Sequence, residues 1–300
     1  MKQTILSTLN KYNAVRDKLS NKIKPPIIVL MYHRVLSENK ESSPFIVTTQ
    51  NFKKQINYLK NNFKILKFDD DWSDVDTPSF VITFDDGYYD NYVIARDFLD
   101  KESIPSTFFI STNNIDTNRL FWWDEISIHR DCYEEYTDLT FDALTRKLIY
   151  STPEQQVAFL SKYRPHYKKN TEETDTTTYR SMTKKELYEL SQFKLVTIGN
   201  HTVNHTKLTL LNDEEVLNEI LESKKTIEEI INKKVSTFSF PYGSYNKNII
   251  NICRKIGLKK VATTVSRNYY SWTNTMKIPR VHVADDDIND FKIKIEKLLS

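Results

Sequence analysis

Glycine is scarce in this chain. Only four occur in 300 residues, Gly87, Gly199, Gly243 and Gly257, and none are clustered. A phosphate-cradling loop or a dinucleotide fingerprint needs clustered glycines, so NAD, FAD and P-loop chemistry are poor readings. Cysteine is scarcer still, with Cys132 and Cys253 far apart. Two cysteines cannot build a cysteine zinc ribbon or a disulfide scaffold, and two reduced thiols are expected, a single bridge being the alternative. An excess of one charge is also missing. The 43 basic and 40 acidic side chains leave a net charge of +3, too balanced to argue for nucleic acid or an anionic membrane by electrostatics alone. No apolar run approaches the roughly 20 residues a membrane span needs, so no transmembrane helix is expected. The first 24 residues lack the unbroken apolar stretch and small-residue cleavage site of a signal peptide. Their apolar positions (Ile5, Leu6, Leu9, Tyr12, Leu19) are spaced as on a helix and interrupted by charges. The expectation is a cytoplasmic protein with an N-terminal helix over 1–24 that packs on its own domain. Peripheral contact with the inner membrane face is the alternative.

What is present is a βα rhythm. Apolar residues make up 39% of the chain and charged residues 28%, ordinary for a globular fold with a sizeable core. Ile27–Met31, Phe80–Thr83, Thr107–Ile110, Leu195–Ile198 and Thr237–Phe240 read as buried strands. Further strands are expected near 260–264 and 278–283. Helices are expected between them: Phe52, Ile56, Leu59 and Phe63 share one face, and Tyr92, Ala95 and Leu99 another. Thr183 with Glu186, and Asn212 with Glu215, fit capping boxes, and Gly257 fits a helix C-cap. A terminal helix starts from Asp287. This predicts one α/β domain over 25–300 built from parallel βα units. The stretch 111–182 breaks the rhythm and reads as a helical insertion, with helices near 140–150 and 153–163. A flexible, low-complexity part runs from Thr171 to Thr178.

Polar clusters sit at the C-terminal ends of the expected strands, the edge where α/β folds build their sites. Asp85-Asp86 ends one strand and is followed by Gly87. Two neighbouring carboxylates repel unless a cation lies between them. One could bind a metal while the other serves as a base, although Asp-Asp-Gly also suits an ordinary turn. His201 and His205 are four apart and would share a face on a helical turn. Two imidazoles with one carboxylate suit Zn²⁺ or a similar divalent ion, the alternative being two surface histidines. Pro241-Tyr242-Gly243 is a turn by default, but its first free amide, that of Tyr242, could be aimed at an oxyanion. His33 lies just past the first strand.

Thr83-Phe84-Asp85-Asp86-Gly87, His201-Thr202-Val203-Asn204-His205 and Phe240-Pro241-Tyr242-Gly243 resemble, in order and spacing, three motifs of the polysaccharide deacetylase family (carbohydrate esterase family 4, NodB homology domain). The resemblance covers roughly residues 25–285. It implies a distorted (β/α)7-type barrel and metal-dependent removal of N- or O-acetyl groups from sugars. By motif position it implies Asp85 as general base, Asp86, His201 and His205 as metal ligands, and the Tyr242 amide as oxyanion donor. The expected cofactor is a divalent ion, Zn²⁺ first, with Co²⁺ or Ni²⁺ as alternatives. The expected partner is a carbohydrate containing N-acetylhexosamine, with no nucleic acid.

The chain departs from the family pattern in two places. Many members carry an arginine two residues before the motif proline, where this chain has Ser239. Arg280, in Ile278-Pro279-Arg280-Val281, and Arg34 are the candidates to steer the base instead. The usual C-terminal histidine motif is not evident, and His282 stands near its place in a different context. Met31-Tyr32-His33-Arg34-Val35 resembles the N-terminal segment of a circularly permuted subgroup that includes poly-N-acetylglucosamine deacetylases. In that subgroup the acid histidine comes from this early strand, so His33 is the expected general acid and His282 the alternative. Tyr88, Tyr89, Trp122, Trp123 and Tyr245 are candidates for stacking on a sugar ring, with core packing as the competing reading. Two other functions remain open at this level: action on a lipid- or nucleotide-linked sugar, including deformylation, and a catalytically silent glycan-binding protein.

Overall fold

The computed structural model describes residues 15–39, 43–117, 119–167 and 176–300. Its strands are β1 (Ile27–Tyr32), β2 (Arg34–Leu36), β3 (Ile46–Thr48), β4 (Lys64–Leu66), β5 (Ser79–Phe84), β6 (Ser106–Ile110), β7 (Val196–Asn200), β8 (Thr237–Ser239), β9 (Lys260–Ala262) and β10 (Val281–His282). The helices that pack around them are α1 (Thr49–Asn62), α2 (Tyr89–Ile94, continuing as the π-helical turn Ala95–Leu99), α3 (Trp122–Ile128), α4 (Arg130–Tyr136), α5 (Phe141–Ile149), α6 (Pro153–Tyr163), α7 (Lys184–Gln192), α8 (Asp213–Ile231), α9 (Lys247–Lys255) and α10 (Ile288–Leu299). Parallel strands follow the order β10-β1-β5-β6-β7-β8-β9, with β4 added beside β5. Eight strands therefore form one curled sheet, seven of them in its continuous path. A bridge from Ala262 to Ile278 brings the segment before β10 against β9 and draws the two edges together. This is the barrel architecture expected from the sequence.

Strand periodicity decides which side chains enter the barrel. Ile28, Leu30, Tyr32, Phe80, Ile82, Phe84 and Phe108 join the main core with Phe52, Ile56 and Leu59 of α1. The alternate residues Ile27, Val29, Val81 and Phe109 form a separate inner cluster with Ala262 and Ile278. Gly199 is required at this level: a Cβ there would lie 2.4 Å from the Phe109 ring. The odd-numbered parity that fills the barrel interior continues past the strand ends to His33, Asp85 and His201.

Both expected capping boxes form, at Thr183/Glu186 and Asn212/Glu215, and Gly257 takes the left-handed conformation (φ 82°) that a C-cap needs. The insertion carries two helices more than the sequence suggested. α3 and α4 have seven residues each and no side-chain cap, so neither periodicity nor capping marked them. Together with α5 and α6 they close on their own apolar cluster of Trp122, Ile126, Tyr133, Leu144, Leu148 and Leu160. The low-complexity run read as flexible lies mostly outside the described residues.

The described part of the N-terminal segment packs on the domain through its polar side. Its described helical residues, 15–21, do not bury an apolar face: Val15 and Leu19 are 62% and 59% exposed. The polar side turns inward instead. The Asp17 carboxylate accepts from the Arg267 guanidinium and the Asn268 N–H, and Asn21 donates to the Leu298 carbonyl. Ile5, Leu6, Leu9 and Tyr12 lie outside the described residues. Cys132 and Cys253 are buried and neither is in a disulfide. No helix among the described residues is long and apolar enough to cross a membrane.

Candidate active site

The site assembles at the C-terminal ends of β1, β5, β7 and β8. The β1–β5 register pairs Tyr32 with Phe84, and the Asp85 N–H donates to the Tyr32 carbonyl, so His33 and Asp85 stand level. Asp85 continues the inward parity of its strand. Asp86, one residue on, would face away, but it takes φ 76° and Gly87 φ 87°. This left-handed bend is what carries two neighbouring carboxylates into one space.

His201 follows β7, where its N–H donates to the Ile110 carbonyl. The expected helical turn from His201 to His205 is absent. Thr202 (φ 71°) and His205 (φ 50°) are both left-handed, and together they fold the loop back so that the imidazoles meet, ring centroids 4.8 Å apart. The loop is held from outside by buried Glu219 of α8. One carboxylate oxygen accepts from the Val203 and Asn204 N–H groups (3.1 and 2.9 Å), the other from the Asn204 side chain (2.6 Å). Sequence reading missed Glu219, which sits mid-helix with nothing local to mark it.

Asp86, His201 and His205 are all buried, and each offers a donor atom within 4.8 Å of the others'. Asp86 Oδ1 has no hydrogen-bond partner and lies 3.2 Å from His205 Nε2 and 3.6 Å from His201 Nε2. The His201 Nδ1 meets the Ser239 carbonyl at 2.8 Å, which leaves Nε2 as a lone-pair donor toward the cluster. A carboxylate and two imidazoles converging without internal satisfaction fit a divalent cation. Burial pushes the His201 imidazole down to about 4, against the pull of Asp85. Burial also opposes ionisation of Asp86, but His205 outweighs it and holds the carboxyl below the usual carboxylate range.

Asp85 stands apart from this trio, its Oδ2 3.9 Å from His201 Nε2. Its partner is Arg280, completely buried inside the barrel. Arg280 Nη1 and Nη2 donate to the two carboxylate oxygens at 2.7 and 2.6 Å. The remaining donors reach the Thr83 hydroxyl (3.1 Å), the Ser239 hydroxyl (2.8 Å) and the Thr263 carbonyl (3.0 Å). All five guanidinium N–H groups are thus used. Burial would favour the neutral acid at Asp85, but the guanidinium overrides it and holds the carboxyl far below its ordinary range. Ser239, which replaces the family's arginine, accepts from Arg280 and donates weakly to Asp85 at 3.4 Å. Arg34, the other candidate, is committed elsewhere: it pairs with Asp90 at 3.1 Å and lies over the Tyr88 ring at 4.2 Å.

Tyr242 takes φ 56° in the turn after β8, and the Gly243 and Ser244 N–H groups close that turn on the Phe240 and Pro241 carbonyls. The Tyr242 ring stands edge-on to His205, centroids 4.7 Å apart, and packs on the insertion cluster. Of the two histidine candidates, His33 is the one that feels the site. Burial lowers its pKa, and Asp86, Asp85, Arg280 and His205 all act on it. His282, pushed down to about 4 by burial, interacts with His33, Lys294 and Asp286 instead. The two rings are 6.2 Å apart, with Phe45 against both.

The aromatic candidates divide. Tyr88 is buried, donating to Asp124 at 2.6 Å and accepting from the Trp123 indole at 2.7 Å. Tyr245 stacks on Phe240, and Tyr89 stacks under the Arg180 guanidinium. Trp122 is buried in the insertion core. Trp123 is partly exposed, with its ring 4.7 Å from that of His205, and stands beside the trio of Asp86, His201 and His205.

The family model described as polysaccharide deacetylase matches residues 72–261. A poly-beta-1,6-N-acetyl-D-glucosamine N-deacetylase of Staphylococcus aureus is 24% identical over 284 residues, covering 86% of this chain and 79% of that protein. A chitooligosaccharide deacetylase of Azorhizobium caulinodans is 39% identical over 69 residues, 23% of this chain, and the match spans only 33% of that relative's length. The solved Streptococcus pyogenes deacetylase PplD in complex with acetate shares the fold, with TM-score 0.62 and 17% identity over 92% of this chain and 99% of that one. With the family model matching well over half of the residues, and both strand-end carboxylates and both histidines brought together at the strand ends, this chain belongs to the polysaccharide deacetylase family.

Proposed function

We propose that this protein is a metal-dependent hydrolase that removes acetyl groups, N-acetyl foremost, from a hexosamine-containing glycan. The observation that carries this reading is the division of labour between adjacent aspartates. Asp86 joins two imidazoles in an unsatisfied trio, while Asp85 is held ionised by Arg280 beside it. A divalent ion bound by Asp86, His201 and His205, Zn²⁺ by donor type, supplies Lewis-acid polarisation of the acyl oxygen and a more acidic water. Asp85, kept as a carboxylate, accepts the proton of the attacking water. Arg280 fixes the orientation of that carboxylate through both oxygens. The Tyr242 N–H donates to the oxyanion as it develops. His33 supplies the proton on which the amine departs, leaving acetate and a free amino sugar.

The relatives support the substrate class: one is a poly-beta-1,6-N-acetyl-D-glucosamine N-deacetylase and another a chitooligosaccharide deacetylase. The test is acetate release from β-linked N-acetylglucosamine oligomers by protein stripped of metal and then reloaded. Release that appears only on reloading is expected. Asp85→Asn should lose at least about 10²-fold in turnover with its metal still bound, and His201→Ala should lose both. Full activity in Asp85→Asn would remove the base assignment. Activity that survives stripping would remove the metal.

A further inference from the structure

A surface helix ordinarily buries its apolar stripe and exposes its polar side. The helical residues 15–21 do the reverse. Asp17 and Asn21 face the body, fastened to Arg267, Asn268, Tyr270 and the Leu298 carbonyl. Val15, Leu19 and Ile23, spaced four apart, are 62%, 59% and 76% exposed. Trp272, half exposed, stacks on Tyr270 with centroids 5.1 Å apart, and the Tyr270 hydroxyl donates to the Asp17 carbonyl. An exposed indole is thereby tied, through Tyr270, to the same helix. Basic side chains border the apolar stripe: at 100° per residue Arg16 falls on one flank of the helix and Lys18 on the other, and Lys22 follows in the turn that carries Ile23, all exposed. The sole carboxylate among residues 15–24, Asp17, is buried and neutralised by Arg267.

From this geometry we infer that the Val15-Leu19-Ile23 stripe, with Trp272, docks this protein on a lipid surface bearing anionic headgroups. The occupant follows from charge. A row of apolar side chains flanked on both sides by lysine and arginine seats its carbons in the acyl boundary and its cations among phosphates. Polar side chains that ordinarily face water are spent on fastening the helix to the barrel, which fixes the orientation of the outward stripe.

The position of the stripe has a functional consequence. Ile27 and Tyr269 exchange both backbone hydrogen bonds, so Tyr270 and the helix it holds lie at the N-terminal end of β1. The metal-ligand trio lies beyond the opposite end of the barrel strands, roughly 20 Å away along a six-residue strand. A protein docked this way turns its catalytic mouth away from the bilayer. It meets glycan on the aqueous side, not a sugar held at the headgroups.

The experiment is co-sedimentation of the full chain with phosphatidylcholine vesicles, with and without phosphatidylglycerol. The wild type should pellet with the phosphatidylglycerol vesicles and be released by high salt. Leu19→Asp with Ile23→Asp should weaken that binding at least about tenfold, and Lys18→Glu with Lys22→Glu should weaken it for the anionic vesicles. These side chains project into solvent, so an unchanged melting temperature is expected and confirms intact folding. A wild type that stays in the supernatant with both vesicles overturns the inference. So does a Leu19→Asp/Ile23→Asp variant that pellets like the wild type. A concentration-dependent dimer dissolved by the same substitutions would assign the stripe to a second copy of the chain and equally overturn it. Sedimentation is read without turnover, so its failure leaves the deacetylase reading untouched, and the reverse.

Discussion

Replacing Arg280 with methionine would strip the buried Asp85 carboxylate of its partner. The pair is fully enclosed, with Arg280 at 0% and Asp85 at 3% exposure, and two direct hydrogen bonds join them. Removing one member of such a pair strands the other charge and costs about 3–5 kcal/mol. Against a total stability of about 5–15 kcal/mol, that is about a fifth or more of what holds the domain folded. Asp85→Leu should cost a similar amount, because it strands the guanidinium instead. The double variant strands neither charge, so its loss should fall short of the summed single losses by about 3 kcal/mol. The assay is urea denaturation of the four proteins at neutral pH after chelator treatment, so that a bound cation cannot compensate the carboxylate. Losses that add within about 0.5 kcal/mol would refute the coupling, and with it the role of Arg280 in holding the base ionised.

Other consequences follow from the same geometry. Glu219→Gln should weaken metal affinity by about 10–100-fold, measured by competition with a chromogenic chelator, because the clamp on Val203 and Asn204 shapes the loop carrying His205; unchanged affinity would show that the loop holds its form alone. Metal-free protein should lose stability as pH falls from about 6.5 toward 4. Burial holds the folded-state pKa values of His201 and His282 near 4, so the unfolded chain takes up protons first; the enclosed His201 contributes up to about 3 kcal/mol that is present above pH 6.5 and lost below, and the half-buried, solvent-screened His282 a smaller amount of the same sign. His282→Gln should flatten that slope in urea titrations, and an unaltered slope would count against it. Trp123→Ala should raise KM by about 2–10-fold with kcat nearly constant if the indole beside His205 stacks on the sugar; a loss confined to kcat would place the indole's effect on the metal-ligand loop instead.

Much of the fold and site could be read from local pattern. β1 is a continuous apolar run, and β5 and β6 are apolar-rich, because both faces of a parallel sheet are covered, and that signal needs no tertiary information. The boxes at Thr183 and Asn212 are local for the same reason, since each is a side chain meeting a backbone three residues away. α3 and α4 were not legible. They are short and uncapped, and they are helical because Trp122, Ile126 and Tyr133 find a shared cluster with residues up to Leu160. The N-terminal helix misled for a related reason. Its spacing showed an amphipathic segment, but spacing is symmetric with respect to which face turns inward, and the partners of Asp17 lie some 250 residues away.

The sequence by itself determined the chemistry available: two adjacent carboxylates, two histidines four apart and a proline-led turn, each stationed past a strand. Those placements follow from strand period and turn residues, which are properties of neighbours in the chain. Only the tertiary structure decided how the groups are shared out. Arg280 reaches Asp85 across 195 positions because β10 pairs with β1, which itself pairs with β5. Asp86 turns toward the two imidazoles, beside Asp85, through a left-handed bend whose torsion no residue type dictates. Electrostatics falls off with distance in space and not along the chain, so which carboxylate is paired and which is left open is settled only once the barrel has closed.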